Sequence, residues 1–308
     1  MTISNLGCPA PHPCENLGQR IGSHAWLWGP AGSYSPAAIK VRFEESNRVM
    51  PRRSKSASPL PVASRLTRWS TRSSGKIQSP LPAHMMACNQ EVLHSQLVDV
   101  HAALNHSTPS DGGWAHMGVG RDDGKQAGGY SPIFYRPSMW KLQNWKTRWP
   151  SPTPEDPSTS WDAGNPRVVT IGTFAHVHSS PKVAIPCTLF DEGSQSRRES
   201  VRLILAAFDA LTVSQDLSAV LLAGDLNSPP TDESYQDMMS QESTMEDVCL
   251  QVPTEKRHGD ERTHTSFGCA DSDGVTSRTY GVLTNRFDDG VCLSDHRACV
   301  ADIPLELA

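Results

Sequence analysis

The stretch Leu221-Leu-Ala-Gly-Asp-Leu-Asn-Ser-Pro-Pro230 decides how this chain is read. Apolar residues at 219–223 form a run too short for a helix. Without alternation, it suits a strand covered on both faces. The run ends at Gly224-Asp225-Leu226-Asn227, and Pro229-Pro230 forbid its continuation. A buried strand that delivers an acid and an amide to its C-terminal end belongs to an α/β architecture, where strand ends carry the chemistry. In extended geometry Asp225 and Asn227 point to the same side. Asp225 can then accept a proton from water while Asn227 holds an oxyanion. The competing reading is an Asx-turn that only ties local backbone.

Working outward, 197–211 carries Val201, Ile204, Leu205, Phe208 and Leu211 at helical spacing, with Arg197, Arg198, Glu199 and Arg202 outward. Upstream, 168–174 and 183–190 are β-rich runs separated by a turn, which predicts adjacent strands. The interval 131–136 reads as a strand after a Gly-rich turn, and 299–303 as the last strand. In 91–104, Val92, Leu93, Leu97, Val100 and Leu104 share a helical face, while His94, Gln96 and Asp99 face water. Glu91 opens that helix. A carboxylate there is a hard ligand for Mg²⁺ or simple complementarity to the helix dipole.

Residues 1–85 read as a poorly structured basic segment rich in Ser and Pro, and 86–308 as the folded domain. Within the first part only 38–43 alternates like a strand. Between Arg52 and Gln90 there is no Asp or Glu, although the whole chain carries a net charge of −5. A basic arm can attract nucleic acid, while the acidic remainder weakens such binding. With 308 residues and 37% hydrophobic content, the chain can build one large core. No apolar stretch is long enough to span a bilayer and no secretory signal is visible, so a soluble intracellular protein, no membrane and a monomer are the expectation.

Eight cysteines are scattered without a Cys-x-x-Cys pair, and Cys249, His258, His264 and Cys269 fit no structural zinc spacing. Gly120-Arg-Asp-Asp-Gly-Lys125 is one residue short of a phosphate-binding loop, and Gln126 stands where Ser or Thr is required. Trp140, Trp145, Trp149 and Trp161 offer surfaces for base stacking, but a Trp-rich run beside apolar strands more often packs a core.

Three motifs in order, Gln90-Glu91-Val92, Gly224-Asp225-Leu226-Asn227 and Ser294-Asp295-His296, resemble the endonuclease/exonuclease/phosphatase superfamily. The intervening Val119–Lys125, Tyr130–Arg136 and Trp161–Arg167 resemble an uncharacterised subgroup related to carbon-catabolite-repressor-type proteins. The resemblance covers about residue 86 to the end. It implies an α/β fold of two stacked mixed β-sheets flanked by helices, the deoxyribonuclease I-like four-layer sandwich, incomplete at its N-terminal strand.

By the same resemblance, Glu91 and Asp295 bind Mg²⁺, with Mn²⁺ as the alternative cation, while Asp225, Asn227 and His296 are catalytic. The implied activity is metal-dependent hydrolysis of a phosphate ester, by a nuclease, a 3′–5′ exonuclease or a phosphatase, with RNA, DNA, nucleotides and inositol phosphates as candidate substrates. Three departures oppose it. Cys187-Thr188-Leu189 replaces Asn-Thr-His, so Leu189 stands where a phosphate-binding imidazole is expected. Thr279 replaces the aspartate that would orient His296. The metal-facing asparagine of the N-terminal strand is not recognisable, Asn47 being the nearest candidate. These departures support two alternatives: an impaired relative that binds phosphate-bearing ligands without turnover, or a gene model with misplaced exon boundaries.

Overall fold

Alternation along β9 (Ala219–Asp225) explains the architecture, because its side chains serve two different cores. Leu221 and Ala223 face one core and Val220 and Leu222 another. A strand buried on both sides requires a layer above and below it. A computed structural model supplies both, and it describes residues 2–7, 23–28, 85–106, 113–179, 181–215, 217–243, 245–258, 263, 280–282, 296 and 299–303.

Two mixed sheets stack face to face. The first runs β11 (Arg257–His258), β12 (Tyr280–Val282), β13 (Cys299–Asp302), β1 (Thr2–Gly7), β3 (Met85–Gln90), β5 (Ile133–Tyr135), β4 (Ala115–Met117). The second runs β10 (Met245–Asp247), β2 (Ser23–Trp28), β9, β8 (Lys182–Leu189), β7 (Val169–His176), β6 (Trp140–Arg148). Met86, Cys88 and Ile133 from one sheet meet Phe174, Ile185, Cys187 and Leu221 from the other in the central core. Helix α1 (His94–His106) covers the outer face of the first sheet through Leu97 and Val100 against Ala87 and Phe134. Helix α2 (Ser194–Gln215) covers the second through Val201, Ile204, Phe208 and Leu211. The result is the expected four-layer sandwich.

The strands expected at 168–174 and 183–190 are antiparallel neighbours, with Val169 opposite Thr188 and Phe174 opposite Val183. Helix α2 then carries the chain across to β9, which lies parallel to β8. Arg197 and Arg198 are not simply solvated, since they pair with Asp232 and with Glu233 and Asp237 around α3 (Glu233–Met238). A short helix α4, Val248–Gln251, follows β10.

Helix α1 begins three residues later than the sequence indicates. The Leu93 backbone N–H donates to Gln96 Oε1 at 2.9 Å, half of a capping box, so the start is set by Gln96 and not by Glu91. Strand β6 is not evident in the sequence because its pairing shifts register between Leu142 and Asn144, which breaks the period of two. Trp140 and Trp149 are buried, as core packing requires, whereas Trp145 on β6 is exposed.

From the stretch 1–85 the structure draws β1 and β2. Strand β1 lies between β13 and β3, and β2 between β10 and β9. Ile3 and Leu6 are three residues apart, so β1 shows no strand period in the sequence. The expected strand at 38–43, Asn47 and the basic arm up to His84 lie outside the described residues.

Candidate functional site

Strands β8 and β9 end together. Their parallel register places Leu189 beside Asp225 and Thr188 beside Gly224. A Cβ at Gly224 would stand 2.3 Å from the Thr188 carbonyl oxygen, so only glycine lets the two strands close at this point. Leu189 and Asp225 continue the alternation of Cys187 and Ala223, which face the central core, and both sit at the rim between the sheets. Both are buried.

Asp225 does not stand in line with Asn227 as extended geometry would have it. Asn227 adopts the left-handed region at φ +47°, and its backbone N–H donates to Asp225 Oδ1 at 3.0 Å. That is the Asx-turn weighed against function in the sequence. Here the turn also orients the acid: with Oδ1 held, Oδ2 faces His296 Nε2 at 3.2 Å. Asn227 Nδ2 donates to the Phe190 carbonyl at 2.7 Å, and the Phe190 N–H donates to the Asp225 carbonyl at 2.9 Å, which locks the two strand ends to each other. An amide nitrogen carries two protons, so one N–H of Asn227 is left for a ligand.

His296 thus has a carboxylate partner in Asp225. The absence of an aspartate at position 279 implied that it would have none, and this expectation is corrected. Asp295 and Thr279 lie outside the described residues.

Glu91 lies beyond the end of β3 with φ +56°, in the left-handed region. It is therefore not a first-turn helix residue, and the helix-dipole reading fails. The chain turns here because Val92 pairs with Tyr130 in an isolated bridge. The Glu91 carboxylate is partly exposed, with Arg121 Nη1 at 3.8 Å and Arg167 Nη1 at 3.7 Å from Oε1. Of the three non-glycine residues in the left-handed region among those described, Glu91, Trp161 and Asn227, two are candidate site residues, and such conformations cluster where geometry serves function.

Arg167 and Asp191 were not singled out in the sequence. Arg167 Nε donates to Asp191 Oδ2 at 2.9 Å, and Asp191 Oδ1 accepts the N–H groups of Gly164 and Gly193, each at 3.1 Å. Nearby, Asp162 Oδ1 accepts Ser196 N–H at 2.7 Å and caps α2. Burial opposes ionisation of Asp191, but the two backbone donors and Arg167 outweigh it and hold its pKa below the ordinary carboxylate value.

A lowered pKa contributes stability above the unfolded value of about 3.9 that is lost as pH falls through the folded value. Asp191→Ala, which strands Arg167 and two N–H groups, is expected to cost about 3–5 kcal/mol at neutral pH. Urea unfolding at pH 7 and at about pH 3 measures this; the gap between wild type and variant should narrow on acidification.

No known family model and no curated protein matches the sequence. Solved structures do. An endonuclease/exonuclease/phosphatase from Bacteroides vulgatus is 25% identical, with a TM-score of 0.64 over 79% of this chain and 90% of its own. A mannosyl-6-phosphatase from Bacteroides thetaiotaomicron is 26% identical, with a TM-score of 0.58 over 71% of this chain and 85% of its own. The catalytic domain of human Nocturnin, solved with a bound sulfate anion, shares the fold alone: 16% identity and a TM-score of 0.54 over 80% of this chain and 87% of its own.

Proposed function

Because this chain belongs to the endonuclease/exonuclease/phosphatase superfamily, we propose that it hydrolyses phosphate esters at the rim where β8 and β9 end. One observation carries the reading: His296 Nε2 faces Asp225 Oδ2 at 3.2 Å, while Asp225 Oδ1 is occupied by the Asn227 backbone. A carboxylate fixed in this way orients the imidazole. The pair then takes the proton of an attacking water, and a held carboxylate stabilises the imidazolium that forms. The remaining Asn227 N–H donates to a phosphoryl oxygen. In-line attack by that water breaks the bond from phosphorus to the leaving oxygen.

Glu91 suits a divalent cation. Its oxygens are hard ligands, it is partly exposed, and neither guanidinium comes within hydrogen-bond distance of it. Among the described residues no three acidic, His or Cys side chains converge on one point, and Mg²⁺ does not need them, since it takes one or two carboxylates and keeps its waters. Glu91 with Asp295 would hold Mg²⁺ or Mn²⁺, which when bound neutralises charge on the phosphoryl oxygens. Against efficient turnover stands Leu189, which brings an apolar side chain into register with Asp225.

Hydrolysis of bis-p-nitrophenyl phosphate, mannose 6-phosphate and a short RNA with Mg²⁺ or Mn²⁺ tests the proposal. Metal-dependent release of product is expected. Folded protein that binds phosphate but turns over none of the three would instead support a ligand-binding relative without catalysis.

A further inference from the structure

The side chains around Glu91 on its arginine side have no part in that chemistry. Arg121 is presented by the Gly-rich loop, where Gly120 N–H donates to the Lys125 carbonyl and Arg121 N–H to the Gly129 carbonyl. Arg167 precedes β7 and is fastened to Asp191. Both guanidinium groups reach within 4 Å of Glu91 Oε1. They also feel each other, since burial first and then repulsion from Arg167 lower the pKa of Arg121.

Two of their donors find no hydrogen-bond partner among the described residues: Arg121 Nε and Arg167 Nη1, both buried. Asp122 Oδ1, 3.6 Å from Arg121 Nε, is too far to supply one. Neighbouring like charges with unpaired buried donors are costly, and structures keep them where a ligand completes the set. The planar fork of a guanidinium matches a phosphate group.

Three carboxylates lie close by, but Asp191 is consumed by Arg167 and two backbone N–H groups, and Asp122 is half exposed. Once Glu91 faces a divalent cation, the balance favours an anion. A Cβ at Gly129 would stand 3.3 Å from Glu91 Cα and 3.8 Å from Arg121 Cζ, so glycine lets the loop that carries Arg121 lie close against Glu91.

We propose that Arg121 and Arg167 form an anion subsite that binds a second phosphate of the substrate, so that esters carrying two phosphates are preferred over those carrying one. This rests on the proposed hydrolysis for the identity of the first phosphate. The unpaired donors Arg121 Nε and Arg167 Nη1 supply the contacts.

Calorimetric titration with adenosine 3′,5′-bisphosphate and adenosine 5′-monophosphate, with Mg²⁺ present and in the Asp225→Asn background so that neither is consumed, tests the subsite. The bisphosphate should bind about tenfold or more tighter, as charge-assisted hydrogen bonds imply. Adding Arg121→Gln should remove most of that preference, leave the monophosphate within about twofold and not move the melting temperature, because the Arg121 side chain makes no hydrogen bond among the described residues. Arg121→Lys, which keeps the charge without the fork, should fall between. Arg167 is not the residue to remove, since its loss would strand Asp191. Equal affinities, binding of neither nucleotide, or a preference that survives Arg121→Gln would overturn the proposal. A preference that depends on Arg121 in a protein without turnover would leave the subsite standing and defeat the hydrolytic reading.

Discussion

Replacing Asp225 by alanine is expected to lower turnover about 10³- to 10⁴-fold, the usual effect of removing a carboxylate that orients a catalytic histidine. Asp225 Oδ2 faces His296 Nε2 at 3.2 Å, and Oδ1 holds the Asn227 N–H at 3.0 Å, so truncation frees the imidazole and the turn together. Asp225→Asn separates the two roles. An amide oxygen can still accept the Asn227 N–H, so the turn and the fold should survive. Its NH₂ cannot accept from the imidazole, and either the tautomer or the ring orientation must change. Near-equal losses in the two variants, with a wild-type melting temperature for Asp225→Asn, would assign the loss to the Asp225–His296 pair. Full activity in Asp225→Asn would show instead that the pair is only structural. The readout is kcat with Mg²⁺ on whichever ester is turned over.

Leu189→His is expected to act in the opposite direction and raise kcat by about 10²-fold, the value of one well-placed donor to a developing oxyanion. The position is prepared for it. Leu189 is in parallel register with Asp225, and the next residue, Phe190, ties its N–H to the Asp225 carbonyl, so the backbone cannot drift from the site. The substitution sacrifices apolar burial and is expected to cost about 1–3 kcal/mol. A gain in kcat with a fall in stability would place the phosphoryl group beside residue 189. A loss of stability without any gain would mean that the phosphate does not pass this point.

Much of the second sheet and its helix was legible because neighbouring residues alone determine it. Val169 to Phe174 and Val183 to Leu189 are β-rich runs bounded by turns, Ala219 to Ala223 is a short apolar run, and Val201, Ile204, Phe208 and Leu211 mark a helical face whatever lies elsewhere. Strand β6 was not legible, since its bulge shifts the alternation that would announce it. Nor was β1, whose place between β3 and β13 comes from backbone hydrogen bonds that any side chains allow. It sets Asn5 in register with Cys88 and Cys299.

Taken alone, then, the sequence determined the strands at 169–174, 183–189 and 219–223 and the helix between them, and that Glu91, Asp225, Asn227 and His296 lie next to strands. Periodicity and turn residues are local properties, and a linear text records them. Only the tertiary structure decided that His296 meets Asp225, that Arg121 and Arg167 flank Glu91, and that Glu91 and Asn227 turn through the left-handed region. These depend on which sheet edges are brought together and on hydrogen bonds from distant backbone, such as the Asn227 side-chain amide to the Phe190 carbonyl, and no local pattern encodes such contacts.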